Sequence, residues 1–167
     1  TSVRVPAGDV FNTSGADVAT GITATQPARI AINSAGNILI GASTSAGIST
    51  RLYTPAGAAV SATLAQTLSN TPVLTQLVGA GTAAAPGAGT EFYGSYYNSA
   101  TTAGAYVFAI TNAGILDTIF NSGVVLALTG QTPSLTAGIN GLSVQADGKV
   151  VAVGYDGTDP ILMRAYA

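Results

Sequence analysis

Leu142-Ser143-Val144-Gln145-Ala146-Asp147-Gly148-Lys149-Val150-Val151-Ala152-Val153-Gly154 reads as two short β-strands joined by a tight turn. Apolar residues fill both arms, and Asp147-Gly148 marks the tip. A turn tip of this kind needs positive φ, which glycine reaches at no steric cost. The same plan stands near the other end of the chain. There Arg29-Ile30-Ala31-Ile32 runs through Asn33-Ser34-Ala35-Gly36 into Asn37-Ile38-Leu39-Ile40-Gly41. Short apolar runs bounded by Gly, Asn and Asp are the hairpin signal.

Working outward, the turn glycines Gly36 and Gly148 are separated by an offset of 148 − 36 = 112, twice 56. A middle copy should then stand near position 92, where Glu91-Phe92-Tyr93-Gly94-Ser95-Tyr96-Tyr97-Asn98 is found. Its Phe92-Tyr93-Gly94 matches the strand endings Ile38-Leu39-Ile40-Gly41 and Val151-Ala152-Val153-Gly154. This central copy has lost its turn glycine, so its first strand is expected to be degenerate. A second hairpin type lies between. Ser49-Thr50-Arg51-Leu52-Tyr53 enters Thr54-Pro55-Ala56-Gly57, and Ala105-Tyr106-Val107-Phe108-Ala109-Ile110 enters Thr111-Asn112-Ala113-Gly114. The offset between these glycines is 114 − 57 = 57.

The expectation is a single all-β domain of three tandem repeats of about 56 residues, each with roughly four short strands. Such repeats form propeller-like antiparallel blades or a related β-sandwich, with copies at 1–48, 49–104 and 105–167. Residues 58–86 are the least repeat-like and read as an irregular insertion at a blade rim. Within them Val60, Leu64 and Leu68 fall at i, i+4 and i+8, the spacing of a short helix near 60–69.

The ends look like two parts of one interrupted unit. Pro160-Ile161-Leu162-Met163-Arg164-Ala165-Tyr166-Ala167 is a strand with no turn after it. Ser2-Val3-Arg4-Val5-Pro6-Ala7-Gly8 is a strand with the Pro-Ala-Gly of the turn at 55–57. The last repeat is thus expected to be completed by an N-terminal strand, its own or a neighbour's. Open edges seek partners, which favours the neighbour. Val3, Val5, Ile161 and Met163 are the strand-completion residues. Thr1 follows no charged-plus-apolar leader, so the chain reads as a mature or excised product.

Composition limits function more than it suggests one. Apolar residues make up 47%, but charged residues only 7%, against about 25% in an ordinary soluble domain. Net charge is −2, and the five cations, Arg4, Arg29, Arg51, Lys149 and Arg164, are scattered. No field gathers nucleic acid. No window of about 20 consecutive apolar residues supports a membrane helix. The chain has neither cysteine nor histidine, so disulfides, thiolate metal sites and the commonest general base are missing.

The stretch 144–154 resembles the bacterial delta-60 repeat, whose Gln-Pro-Asp-Gly-Lys-like turn precedes an apolar strand ending in Gly. Val107-Phe108-Ala109-Ile110-Thr111-Asn112-Ala113-Gly114-Ile115-Leu116-Asp117-Thr118-Ile119-Phe120 is similar to that family's second hallmark, Asn-x-x-Gly-x-Leu-Asp-x-x-Phe. The match covers about 105–165 and fades toward the N-terminus. The resemblance implies a propeller-like β fold on large secreted bacterial proteins, and it brings no catalytic residues.

Candidate sites are few. Asp156 and Asp159, in Asp156-Gly157-Thr158-Asp159, come nearest to a calcium loop. They offer two carboxylates where calcium takes about six to eight oxygens. Asp147, Asp156 and Asp117 read more plainly as turn residues bonding their own backbone. Glu91 is the only glutamate, and no second carboxylate is placed beside it for glycoside hydrolysis. Gly79-Ala80-Gly81 lacks the Lys-Ser/Thr of a phosphate loop. No enzyme activity and no cofactor are expected.

The densest aromatic cluster is Phe92, Tyr93, Tyr96 and Tyr97. Strand alternation sends Phe92 and Tyr96 one way and Tyr93 and Tyr97 the other. Tyr93, Tyr96 and Tyr97 are therefore candidates for a ligand or subunit contact. Two functions from different classes follow. The first is an extracellular or surface structural protein, with its own copies as partners, forming a fibre, tube or layer by strand completion. The second is an adhesion module binding glycans or a host surface.

Overall fold

Four turns of one geometry organise the chain in its computed structural model, which describes residues 21–60, 64–67, 72–80, 90–98, 105–120, 126–127, 138–155 and 159–165. In each, the first residue (Asn33, Thr54, Thr111 or Gln145) donates its N–H to the carbonyl four positions on. It accepts, in turn, from the N–H three positions on, and all eight bonds span 2.8–3.0 Å. That second donor is Gly36, Gly57, Gly114 or Gly148, with φ of 75–82°. This is a type I turn followed by a left-handed residue, a tight hairpin loop that glycine closes without strain.

Eleven strands are described: β1 (Arg29–Ile32), β2 (Ile38–Thr44), β3 (Gly47–Tyr53), β4 (Leu64–Thr67), β5 (Pro72–Gly79), β6 (Thr90–Asn98), β7 (Ala105–Thr111), β8 (Leu126–Ala127), β9 (Gly138–Val144), β10 (Val150–Tyr155) and β11 (Pro160–Ala165). They form three antiparallel sheets in chain order, β1-β2-β3-β4, β5-β6-β7-β8 and β9-β10-β11. The described residues include no α-helix. The chain is all-β, and its three sheets fit three repeats.

Two expectations for the middle of the chain are corrected. Leu64–Thr67, inside the expected helix, is a strand whose Leu64 pairs with Thr50. The helical spacing there is overridden by a ladder to β3, because short apolar runs suit either element. Pro72–Gly79, inside the expected insertion, is the first strand of the middle sheet and is eight residues long. It is not degenerate. Pro72 stands at the first strand position, where a missing N–H costs least. Each of the expected copies 49–104 and 105–167 opens on the third strand of a sheet, since a repeat can be counted from any strand.

The sheets stack face to face. The front of the first sheet (Ala31, Leu39, Ile48, Leu52) meets the back of the middle sheet (Leu74, Leu77, Phe92, Tyr96, Phe108, Ile110) in one core. The front of the middle sheet (Tyr93, Ala105, Val107, Ala109) meets the back of the third (Ile139, Val150, Ala152, Ala165) in a second core. Each large apolar side chain buried this way contributes roughly 1.5–3 kcal/mol.

First strands make the close approaches between sheets. Arg29 Nε of β1 donates to the Thr75 carbonyl of β5 at 2.8 Å, and Gln76 Nε2 of β5 to the Asn140 carbonyl of β9 at 3.1 Å. The buried Ser43 Oγ accepts from the Leu74 N–H at 2.8 Å. A Cβ on Gly79 would lie 2.2 Å from the Ile32 carbonyl oxygen, so only glycine lets β5 lie this close to β1.

Register fixes which positions correspond. The bridge Tyr53–Ala59 recurs as Ile110–Leu116, at an offset of 57. The bond from Val60 N–H to Leu52 recurs at the same offset as Asp117 N–H to Ala109. Turns at 33–36 and 145–148 correspond at an offset of 112. Gly41 therefore matches Ser95 and Val153, not Gly94 and Gly154. Gly41 pairs with Thr50 as Ser95 pairs with Val107, and Thr50 and Val107 are themselves related by the offset of 57. With this register all three sheets face the same way along the stack.

Candidate functional site

The third sheet differs from the other two in its edge and in its front face. In the first and middle sheets the third strand, β3 or β7, pairs onward with a fourth, β4 or β8. Its counterpart β11 pairs with β10, and among the described residues no strand lies on its other side. A sheet edge presents unpaired N–H and C=O groups and templates another strand.

The front face tells the same story by side chain. Leu39, Gly41 and Thr50 in the first sheet and Tyr93, Ser95 and Val107 in the middle sheet are buried at the front. The corresponding positions of the third sheet are Val151, Val153 and Leu162 on facing strands, where Val153 pairs with Leu162. Val153 is 48% exposed and Leu162 76%, and Tyr155 lies on the same face. At the opposite end of the stack, Ile30 and Ile32 on the back of β1 are 63% and 60% exposed. That face is exposed along β1, while Ile38, Ala42 and Tyr53 on β2 and β3 are buried.

Polar groups at this end are structural. Asp147 accepts from its turn neighbour Lys149, by backbone and side chain, and from Arg164 Nη2 of β11 at 3.1 Å. The Lys149 hydrogen bond holds its carboxyl below the usual carboxylate range. Asp147 thus ties the β9–β10 turn to the edge strand. Asp117 caps its own turn, accepting from the N–H groups of Ile119 at 2.8 Å and Phe120 at 3.3 Å. Of the calcium candidates, Asp159 is exposed at the foot of β11 and Asp156 lies outside the described residues. No group of three or more acidic side chains occurs among the described residues.

The tyrosine-rich strand divides as its alternation foretells, but both of its faces are core. Phe92 and Tyr96 enter the first core and Tyr93 the second. Tyr93 is 0% and Tyr96 4% exposed, so neither ring offers a face to a ligand or another subunit, and only Tyr97 is partly exposed. Tyr93 packs edge-on against Phe120 at 5.5 Å, and Tyr96 stacks on Tyr106 at 4.9 Å. Burial, with a smaller push from Asp117, raises the Tyr93 phenol to about 12. Burial, seconded by Tyr106, takes Tyr96 to about 12 as well.

Ile161 and Met163, expected from the sequence to take part in strand completion, lie on β11, half-buried on its core-facing side, and Met163 packs against the second core. Val3 and Val5 lie outside the described residues. Sequence reasoning missed Ile30, Ile32, Val153 and Leu162, because exposure at the two ends of a stack follows from sheet order. The offset of 112 was the available signal, since it sets Val153 against Gly41.

The fold defines a class, an all-β chain of three antiparallel sheets stacked with one polarity. Comparison with protein-family models, curated proteins and solved structures finds no match to this chain. No helix among the described residues is long and apolar enough to cross a membrane.

Proposed function

We propose that this chain is a structural, self-assembling protein of the cell surface or exterior, whose copies join when a strand of one completes the third sheet of the next. The observation that carries the reading is the count of described strands, four, four and three: among the described residues β3 and β7 pair onward with a fourth strand, and β11 pairs with β10 alone. Main-chain pairing at such an edge supplies affinity without charged groups. That suits a chain with 7% charged residues. The donated strand is the one around Val3 and Val5, and the three sheets are blades of a propeller-like stack, with their first strands innermost. An adhesion role through the tyrosines is the weaker reading, since two of its three rings are core residues.

Electron microscopy of the purified chain over a range of concentrations tests this. Fibres, tubes or layers are the expected result. Discrete particles of a single size at every concentration overturn it.

A further inference from the structure

Inside the chain, one contact between sheets occurs twice with the same pair of faces. Leu77 on the back of β5 packs over Gly41 on the front of β2, with Leu77 Cδ1 3.1 Å from where a Gly41 Cβ would stand. Leu142 on β9 holds the position of Leu77, because it pairs with Ala152 as Leu77 pairs with Gly94. Leu142 packs against the second core. The third member of this series is Ile30, which pairs with Ile40 and is 63% exposed. The front series Gly41, Ser95, Val153 runs the same way, with the first two buried and Val153 48% exposed.

The strip along β1 at one end and the front of β10 and β11 at the other are thus the exposed parts of an interface the chain builds twice internally, while Ile38, Ala42 and Tyr53 on the back of the first sheet are buried. The two parts are of opposite kind, back at the first sheet and front at the third. Repeating the internal contact sets front against back, not like against like. Head-to-tail contacts between such unlike patches are heterologous and propagate into rings or filaments.

We infer that the front of the third sheet docks the back of the first sheet of a second copy, with Ile30 and Ile32 of one chain seated on Val153 and Leu162 of the next. This rests on the self-assembly reading and deepens it. The neighbour that donates the strand around Val5 can be the same one whose first sheet covers the face, since both segments belong to one chain, with Arg29 at an offset of 29 − 5 = 24 from Val5. Edge completion and face stacking are then two parts of one joint. Arg164 and Ser143, which flank the apolar patch on the same face, form its polar rim.

Two variants test it, each altering only exposed side chains. Val153→Glu with Leu162→Glu spoils the front, and Ile30→Glu with Ile32→Glu spoils the back, so that the two spoiled faces repel each other. Unchanged circular dichroism and melting midpoint establish that both fold. By sedimentation velocity, at concentrations where the unaltered chain assembles, each variant alone should run at monomer mass. Their equimolar mixture should reach twice that mass and stop, because one good front and one good back remain. If the back-spoiled variant dimerises alone, the front pairs with itself and the inference is overturned. If either variant assembles as the unaltered chain does, faces play no part and the inference fails, while strand completion stands. An unaltered chain that stays monomeric throughout sinks the self-assembly reading, and this inference with it.

Discussion

The middle and third sheets share a plan but live in different surroundings. Both are antiparallel, and both have a central strand that sends apolar side chains to each face, Phe92 and Tyr93 in one and Val150 and Val151 in the other. The middle sheet has a neighbour on each face, so Phe92, Tyr93 and Tyr96 are all buried although they point to opposite sides. Among the described residues the third has a neighbouring sheet on one face only. Val150 and Ala152 are buried there, while Val153, the next in sequence, is half-exposed. The same alternation therefore codes for core twice in one sheet and for core plus open surface in the other. What separates them is position in the stack, a property of sheet order rather than of local sequence.

Substitutions can break or sharpen that contrast. Phe92→Ala, in the middle sheet, should cost about 3–5 kcal/mol, as a large aromatic deleted from a packed core does. Leu162→Ala, on the open face of the third, should change stability by less than about 0.5 kcal/mol in dilute monomer. Urea titration of the two variants reads the difference directly, and similar losses would erase the distinction between the sheets.

A glycine pair gives the next largest contrast. Gly79→Ala drives a Cβ into the Ile32 carbonyl where the middle sheet crosses the first. Forcing the backbones apart should cost about 1–3 kcal/mol. In the third sheet a Gly141 Cβ would meet, among the described residues, only Val153 Cγ1, at 3.6 Å, an ordinary contact. Gly141→Ala should be close to neutral, which the same denaturation curves would check.

Tyr93 and Tyr96 make the middle sheet alkali-sensitive. Their phenols sit at about 12 in the folded chain, above the ordinary 10. An acid raised in this way contributes stability that is complete below pH about 10 and lost as pH climbs from about 10 to 12. Tyrosinate absorbance should show these two rings ionising together with unfolding. The Tyr93 hydroxyl is also buried without a hydrogen-bond partner. Tyr93→Phe should therefore raise stability by about 1 kcal/mol and remove part of the alkaline loss, as the melting midpoint at pH 7 and pH 11 would report.

Much of this architecture is legible in the sequence, because it is written in turns. Gly36, Gly57, Gly114 and Gly148 mark the four turns, and their spacings of 112 and 57 give the repeat. The strands flanking them follow at once. Two features are not legible. The first is β5, since Pro72 and the mixed spacing of Leu74 and Leu77 carry no glycine turn to anchor them. The second is the two-sided burial of β6, because a strand covered on both faces loses the polar–apolar alternation that identifies an outward side. The strand-end glycines Gly41, Gly94 and Gly154 also invite an alignment one position out of register, which in a strand turns every side chain to the wrong face.

The smallest expected effect is at the exposed rim of the third sheet. Asp147→Asn removes the pairs with Lys149 and Arg164. Because that carboxyl is held low in the folded chain, its contribution is present above the ordinary carboxylate range and fades as pH falls through its lowered value. The melting midpoint should move slightly at low salt and not at all at high salt, since exposed pairs are screened.

Amide hydrogen exchange across 160–165, followed as a function of chain concentration, bears most directly on the open edge. If another copy completes the third sheet, the β11 amides that face away from β10 exchange freely in dilute solution and become protected as concentration rises. Protection that is the same at every concentration, high or low, contradicts the account.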